Sequence, residues 1–393
     1  MPTVIDIVLL VLLFFALMAG LRAGFFSTLG TFAGLIAGAL AMPYVLPLVA
    51  QHVGSDTWRG AAVIGAAALL LSITSGIGSG IGHAFRRGAD RLLLGPIERL
   101  LGGALALVGA AVALAFTATG VITAGIPVLS QLLASSTLLQ TIDRYTPPVV
   151  DDAVARLRAH AFDDAVLPTI EGIFDGNTDD LGGQLADVQL DNPALQTAAN
   201  SVARVSGLAP ACGTMPSGSG FVVAEDLIVT NAHVVAGVPS PLVELPGEPA
   251  RPGSIIYFDP VDDLAVISAD VDAAPLALDD SLAAGSAAVV QGYPYGGPFQ
   301  SVPARVLATG ANIIPDIYGT SSAARSIHVL EAAVEPGNSG GPLLSEGGGV
   351  AGVIFARAEN PGIGYAMTNE ELYPILDGLS PVNAAVDSGS CLG

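Results

Sequence analysis

The chain lacks lysine entirely and carries only two cysteines among its 393 residues. Charged residues make up 12% of it, with fourteen arginines set against thirty-five Asp and Glu, for a formal net charge of -21. The absent lysines carry no functional weight. The shortage of basic groups does: from Ala211 onward four arginines face twenty acidic residues. Such a region repels nucleic-acid phosphates, which excludes nucleic acid as a partner. Two cysteines and scattered histidines make no zinc-ligand spacing, so no metal is expected.

Residues 1–125 have few charges and long apolar runs, near 4–20, 25–50, 60–82 and 101–125. Each run supplies the roughly 17–25 residues of a bilayer-spanning helix. A cleaved signal peptide accounts for the first run but not the other three. The reading is a four-helix membrane domain anchored in the lipid bilayer. Arg22 lies in the first loop and Arg86, Arg87, Arg91 and Arg99 in the third, whereas the second loop holds only Arg59 with Asp56 nearby. The positive-inside rule puts the first and third loops in the cytoplasm and both termini outside. Gly30, Gly34 and Gly38 fall on one helix face, a pattern that lets helices pack closely. Asp6 is either an intramembrane carboxylate on an ion path or a residue that reaches the interface. His52 and His83 lie near membrane edges without a ligand set.

Everything after about residue 126 is then extracytoplasmic, on the orientation argument above. Outside the reducing cytosol an even cysteine count favours a Cys212–Cys391 disulfide, with two free thiols as the alternative. Residues 126–206 read as a connector with short helices. "VVDDAVARLRAHAFDDAV" is helical, "FDGNTDDLGGQL" is a break, and "DNPALQTAANSVARVSG" reads as a second short helix with Asp191 or Asn192 near its start. The break is a plausible cleavage target.

From residue 207 short apolar strands alternate with glycine turns, beginning with a hairpin formed by "GFVV" and "LIVTN". His233 follows in "TNAHVV", where an imidazole able to exchange protons stands as a candidate base. Asp262 and Asp263 precede the strand-like "LAVIS", and one of them is placed to orient that histidine. Ser339 lies in "EPGNSGGPL" between Gly337 and Gly340, whose freedom lets N–H groups of Gly337 and Ser339 point at a developing oxyanion. His328 is expected to pack or face solvent rather than react.

Together "TNAHVV", "DDLAVI" and "GNSGGPL" resemble the chymotrypsin-like serine proteases, in particular the HtrA-like branch. That resemblance implies an all-β double barrel over 207–393, with His233 as base, Asp263 rather than Asp262 as orienting acid, and Ser339 as nucleophile. It also implies Gly337 and Ser339 as oxyanion donors and no cofactor. Asn338, where aspartate is usual, is familiar among HtrA-like members. Trypsin-like enzymes carry an aspartate six residues before the nucleophile; Ala333 stands there, which disfavours basic side chains in the specificity pocket. The whole chain is similar to mycobacterial membrane-anchored periplasmic proteases associated with acid resistance, whose N-terminal part is related to the colicin V production protein family. This implies envelope protein substrates, such as a cell-wall hydrolase, and cleavage of its own connector. The competing reading is a transporter or membrane scaffold carrying a degenerate protease fold.

Overall fold

A computed structural model of the chain describes residues 4–52, 56–90, 95–123, 136, 138–139, 141–142, 146, 150, 155–156, 167–170, 172–173, 188–212, 214–359 and 362–392. The chain divides into two compact units, one holding the N-terminal helices and one holding the strands.

The helical unit contains α1 (Val4–Ala23), α2 (Phe25–His52), α3 (Asp56–Asp90) and α4 (Gly95–Thr123). Each includes a stretch long and apolar enough to cross a membrane, at Ile5–Ala23, Phe25–Met42, Ala68–Phe85 and Pro96–Ala115. The third begins later than the expected 60–82, within a helix that runs Asp56–Asp90. Large apolar side chains point outward along these helices, among them Phe15 and Leu100. In water that would be costly; in lipid it is the stable arrangement. The glycine face of α2 meets α3 backbone to backbone. A Cβ on Gly30 would lie 2.1 Å from Gly78 O, and one on Gly34 2.1 Å from Thr74 O. Only hydrogen fits there, and the close approach supplies the van der Waals contact that holds helices together in lipid. Asp6 is buried, accepting from Ser136 Oγ (2.6 Å) and Leu138 N (3.2 Å). It ties α1 to the chain that follows α4. His83 Nδ1 bonds Ser27 Oγ (2.9 Å).

Among the described residues the second unit has thirteen strands. The first sheet comprises β1 (Val202–Ser206), β2 (Ser217–Ala224), β3 (Leu227–Thr230), β4 (Leu242–Glu244), β5 (Arg251–Pro252), β6 (Ser254–Asp259) and β7 (Leu264–Ser268), in the order β5-β4-β1-β2-β3-β7-β6. A closed six-stranded barrel follows, ordered β10-β13-β12-β11-β8-β9. Its strands are β8 (Ala287–Gly292), β9 (Gln300–Pro315), β10 (Ser322–Glu331), β11 (Pro342–Ser345), β12 (Val350–Arg357) and β13 (Ile363–Thr368). The sequence suggested two barrels, and only the second is closed by hydrogen bonds. β5 and β6 are the outer strands of the first sheet, yet Gly253 alone joins them. The sheet therefore curls until its edges meet at a bend, where two-residue β5, ending in Pro252, cannot extend a ladder.

The expected hairpin forms, with Phe221 opposite Val229 and Asp226 in its turn at φ 58°. β1, which the sequence reading placed inside the second connector helix, is instead a strand hydrogen-bonded between β4 and β2. Before it, α5 (Pro193–Ala199) begins at Asn192, whose Oδ1 accepts from Ala194 N, while Asp191 lies outside the cap. The break at 174–185 and most of the first connector helix lie outside the described residues. Three apolar clusters hold the unit. One fills the curled sheet, one fills the barrel, and the largest joins them through Phe221, Val229 and Leu264 on one side and Ile327, Phe355 and Tyr365 on the other. Each of these large side chains contributes roughly 1.5–3 kcal/mol by leaving water.

Cys212 and Cys391 are joined across 179 residues. The C-terminal tail is held by Gly237 N donating to Ser388 O (3.1 Å) and Val386 N to Ile255 O (2.8 Å), so it is laced to the first sheet rather than frayed. Closing so long a loop restricts the unfolded chain, and Cys391→Ser is expected to destabilise the strand unit by about 2–5 kcal/mol. Pulse proteolysis of the full chain in urea checks this; an unchanged midpoint would show that the link carries no stability.

Candidate active site

Pairing between β3 and β7 brings two of the predicted residues together. Thr230 sits opposite Ala265. The residues just past the end of β3 and just before β7 therefore emerge at the same end of the sheet. His233 follows β3 in the one-turn helix α6 (Ala232–Val235), and Asp263 precedes β7 with φ 55°. The Asp263 carboxylate accepts from the His233 backbone N–H (2.9 Å) and lies 2.9 and 2.8 Å from His233 Nδ1 through its two oxygens. Both side chains are buried. Asp262, the alternative, makes no such contact; its carboxyl is pushed up by partial burial and by Asp259.

The conformation of Asp263 is gripped from both sides. Asn231 Nδ2 donates to Asp263 O (2.8 Å), and Arg325 Nη1 donates to Asp262 O (3.4 Å). Arg325 is buried on β10 with its guanidinium 5.4 Å from the centre of the Phe355 ring. Burial pulls its pKa down, while the charges of Asp263 and Asp262 oppose that shift.

Ser339 lies in the turn between β10 and β11. Gly337 (φ 97°) and Gly340 (φ 80°) take conformations that exclude most side chains. A Cβ on Gly340 would fall 2.4 Å from Thr230 Oγ1 and 3.0 Å from Asn231 N, so the residue after Ser339 packs directly against those before His233. Ser219 on β2 fastens this turn. Its N–H donates to Ser339 O (2.8 Å), its Oγ donates to Gly337 O (2.7 Å), and the same Oγ accepts from Tyr293 N (2.9 Å). With their carbonyls held, the N–H groups of Gly337 and Ser339 donate to no backbone carbonyl among the described residues. Ser339 Oγ and His233 Nε2 are both buried and neither has a hydrogen-bond partner among the described residues, so the link between them is open.

Ser219→Ala should lower kcat by up to about a hundredfold, because misplacing a reacting group by an ångström costs that much. The check is kcat against KM: an unchanged kcat would show that the Ser339 turn holds its shape without Ser219.

The other sequence candidates fall elsewhere. His328 is buried in the barrel wall, bonded through Nδ1 to Thr309 Oγ1 (2.7 Å), and burial pushes its imidazole down. Ala333 is exposed, while its neighbour Val334 is buried. A Cβ on Gly364 would sit 2.4 Å from Val334 Cγ2, so Val334 rather than Ala333 lies against β13. Ser219, Asn231 and Arg325 were not singled out by sequence. Asn231 stood within the histidine motif; Arg325 gave no signal. Among the described residues no group of three His, Cys, Asp or Glu side chains is placed to hold a metal ion.

Comparison with known proteins agrees with both units. Residues 218–353 match the trypsin-like peptidase domain family and residues 5–147 the colicin V production protein family. Serine protease Rv3671c of Mycobacterium tuberculosis is 34% identical over 209 residues, covering 52% of each chain. A putative serine protease HhoB of Synechocystis is 33% identical over 156 residues, 38% of this chain and 37% of that one. The chain thus spans about half the length of the first of these curated relatives and less of the second. The crystal structure of the Rv3671c protease from M. tuberculosis in its active form superposes with a TM-score of 0.51 at 30% identity, covering 57% of this chain and 100% of that one. On the strength of that complete coverage and of the two successive domain matches, the chain belongs to the Rv3671c-like (MarP-like) family of serine proteases, with a colicin V production protein region ahead of its trypsin-like peptidase domain.

Proposed function

We propose that this protein is a membrane-tethered serine endopeptidase that hydrolyses peptide bonds through an acyl-enzyme on Ser339. The observation that carries the reading is the Asp263 carboxylate held against both His233 Nδ1 and the His233 backbone N–H, with the Ser339 turn packed alongside. Asp263 accepts the Nδ1 proton, which leaves Nε2 free to take the Ser339 hydroxyl proton as Oγ attacks the carbonyl. The N–H groups of Gly337 and Ser339 then receive the developing oxyanion, which they stabilise more than the planar substrate. The imidazolium protonates the leaving amine, and a water activated by the same histidine releases the acyl group. A neutral, modest side chain next to the cut bond is the preference this reading gives, because Ala333 supplies no counter-charge for a basic one. The curled first sheet acts as the second half of a double barrel.

The helices over 1–125 anchor the chain. The arginine-bearing loops lie in the cytoplasm, and both termini and the protease unit lie outside. A connector runs from 126 to the start of β1, and the protease unit occupies the rest of the chain. Envelope proteins, including cell-wall hydrolases and the connector itself, are the substrates this placement offers, in a response to acid or envelope stress. Labelling with a serine-reactive fluorophosphonate tests the core of this reading. Wild-type protein should be labelled and Ser339→Ala should not; equal labelling of both would reject Ser339 as nucleophile.

A further inference from the structure

The turn that carries Ser339 opens onto a sheet edge. Gly340 N donates to Ile354 O (2.8 Å) and Ile354 N to Gly341 O (2.9 Å), which pairs the turn with the middle of β12. Past Ile354, β12 outruns β11, whose first residue, Pro342, pairs back at Val353. A bulge between Ile354 and Ala356 re-aims the strand that continues to Arg357. A peptide cut at Ser339 must run beside this edge and add itself as a strand.

The edge is already taken. Arg357 N donates to Pro168 O (3.0 Å), and Ile170 N donates to Arg357 O (2.9 Å), a parallel bridge between Thr169 and Arg357. Leu167, on the side of this bridge that leads toward the Ser339 turn, is buried in the same apolar cluster as Ile354 and Val334. Ile170 packs against the cluster that contains Phe355. The connector also touches the other flank of the turn. Arg156 lies 5.1 Å from the centre of the Tyr295 ring, and Tyr295 donates to Glu335 Oε2 (2.7 Å), which stands 3.6 Å from Arg357 Nη1.

We infer that Leu167–Ile170 is an internal strap that occupies the substrate strand position backwards and holds the protease closed. The inference rests on Ser339 being the nucleophile. An acyl-donating peptide on this edge runs toward Ser339, antiparallel to β12, so that its carbonyl arrives at the Gly337 and Ser339 N–H groups. The strap is parallel to β12 and runs away from Ser339. It fills the edge and offers no carbonyl in the attacked position, so it blocks without being cut. Because it is tethered, it competes at a high effective concentration and needs only modest contacts to win against a free substrate. Burial of Ser339, and the open link between its Oγ and His233 Nε2, accord with a closed site. Cleavage elsewhere in the connector then acts as an activating cut.

The test uses the full chain in detergent micelles, with quenched-fluorophore casein as substrate. Ile170→Pro deletes the N–H that donates to Arg357, and Leu167→Asp removes the apolar anchor. Both should raise kcat/KM by about tenfold or more, the gain expected when a competent fraction of about a tenth becomes dominant. The free peptide "VLPTIEG" should inhibit the released variants and remain intact. Variants that fold and cleave casein only as fast as wild type would overturn the strap, as would cutting of that peptide within its "LPTI" stretch. A measurement without variants covers misfolding. A peptidyl phosphonate that modifies Ser339 in the wild-type chain should speed amide exchange in 167–170; unchanged exchange with Ser339 occupied overturns the proposal. If no phosphonate reacts at Ser339 even in folded, strap-released variants, it is the nucleophile assignment that fails.

Discussion

Replacing Ser339 with alanine is expected to lower kcat for peptide cleavage by about a millionfold, leaving only the residual rate that binding and oxyanion stabilisation provide. The size of the effect follows from the division of labour. Without Oγ no acyl-enzyme forms, and His233 and Asp263 have nothing to activate. The alanine chain should stay folded. Among the described residues Ser339 Oγ has no hydrogen-bond partner to lose, and the backbone bonds that position the turn run through Ser219 N and Oγ. Steady-state cleavage of an unstructured protein, with the strap released by Ile170→Pro in both backgrounds, gives the comparison. Retention of more than about a thousandth of the rate would place the chemistry on another group.

Asp263→Asn is expected to lower kcat by about ten-thousandfold while leaving KM and folding largely unchanged. Asp263 accepts from the His233 backbone N–H and from Nδ1. An asparagine keeps one of these bonds by turning its oxygen toward the backbone N–H. Its NH2 group then faces Nδ1 and demands an acceptor there. The imidazole proton moves to Nε2, the wrong nitrogen for a base facing Ser339. A drop below about tenfold would mean that His233 is oriented by other contacts, and Asn231 and Arg325 would become the groups to examine.

The features legible in the sequence were those written locally. Four apolar runs became four helices because a bilayer-length run has few other stable forms. Gly30 and Gly34 predicted a close helix face because spacing alone puts them on one side. His233, Asp263 and Ser339 were proposed from motifs, and β3–β7 pairing brings the first two into contact. The missed features depend on long-range contacts. Ser219 is 120 positions before Ser339 and looks like one more serine in a glycine-rich stretch. Arg325 sits in an unremarkable strand and matters only because β10 passes under the Asp262–Asp263 peptide. β1 was read as the end of the second connector helix because five residues with an arginine at the centre carry a weak strand signal until β2 and β4 flank them. Val334 rather than Ala333 turned inward because the period-2 alternation that buries Leu330 and Ala332 carries on past the end of β10, and all three enter one apolar cluster. The strap was hidden most completely, since "LPTI" has no property of an inhibitor until Arg357 is seen between its two backbone bonds.

The central claim is a covalent acyl group on Ser339, and trapping that group tests it most directly. The strap-released chain, mixed with an activated ester and quenched in acid, should show a burst equal to the concentration of active sites. The added acyl mass should map to the peptide containing Ser339, and both should vanish in the Ser339→Ala chain. An acyl mass on any other residue, or continued turnover with no acyl-enzyme at all, would contradict the account.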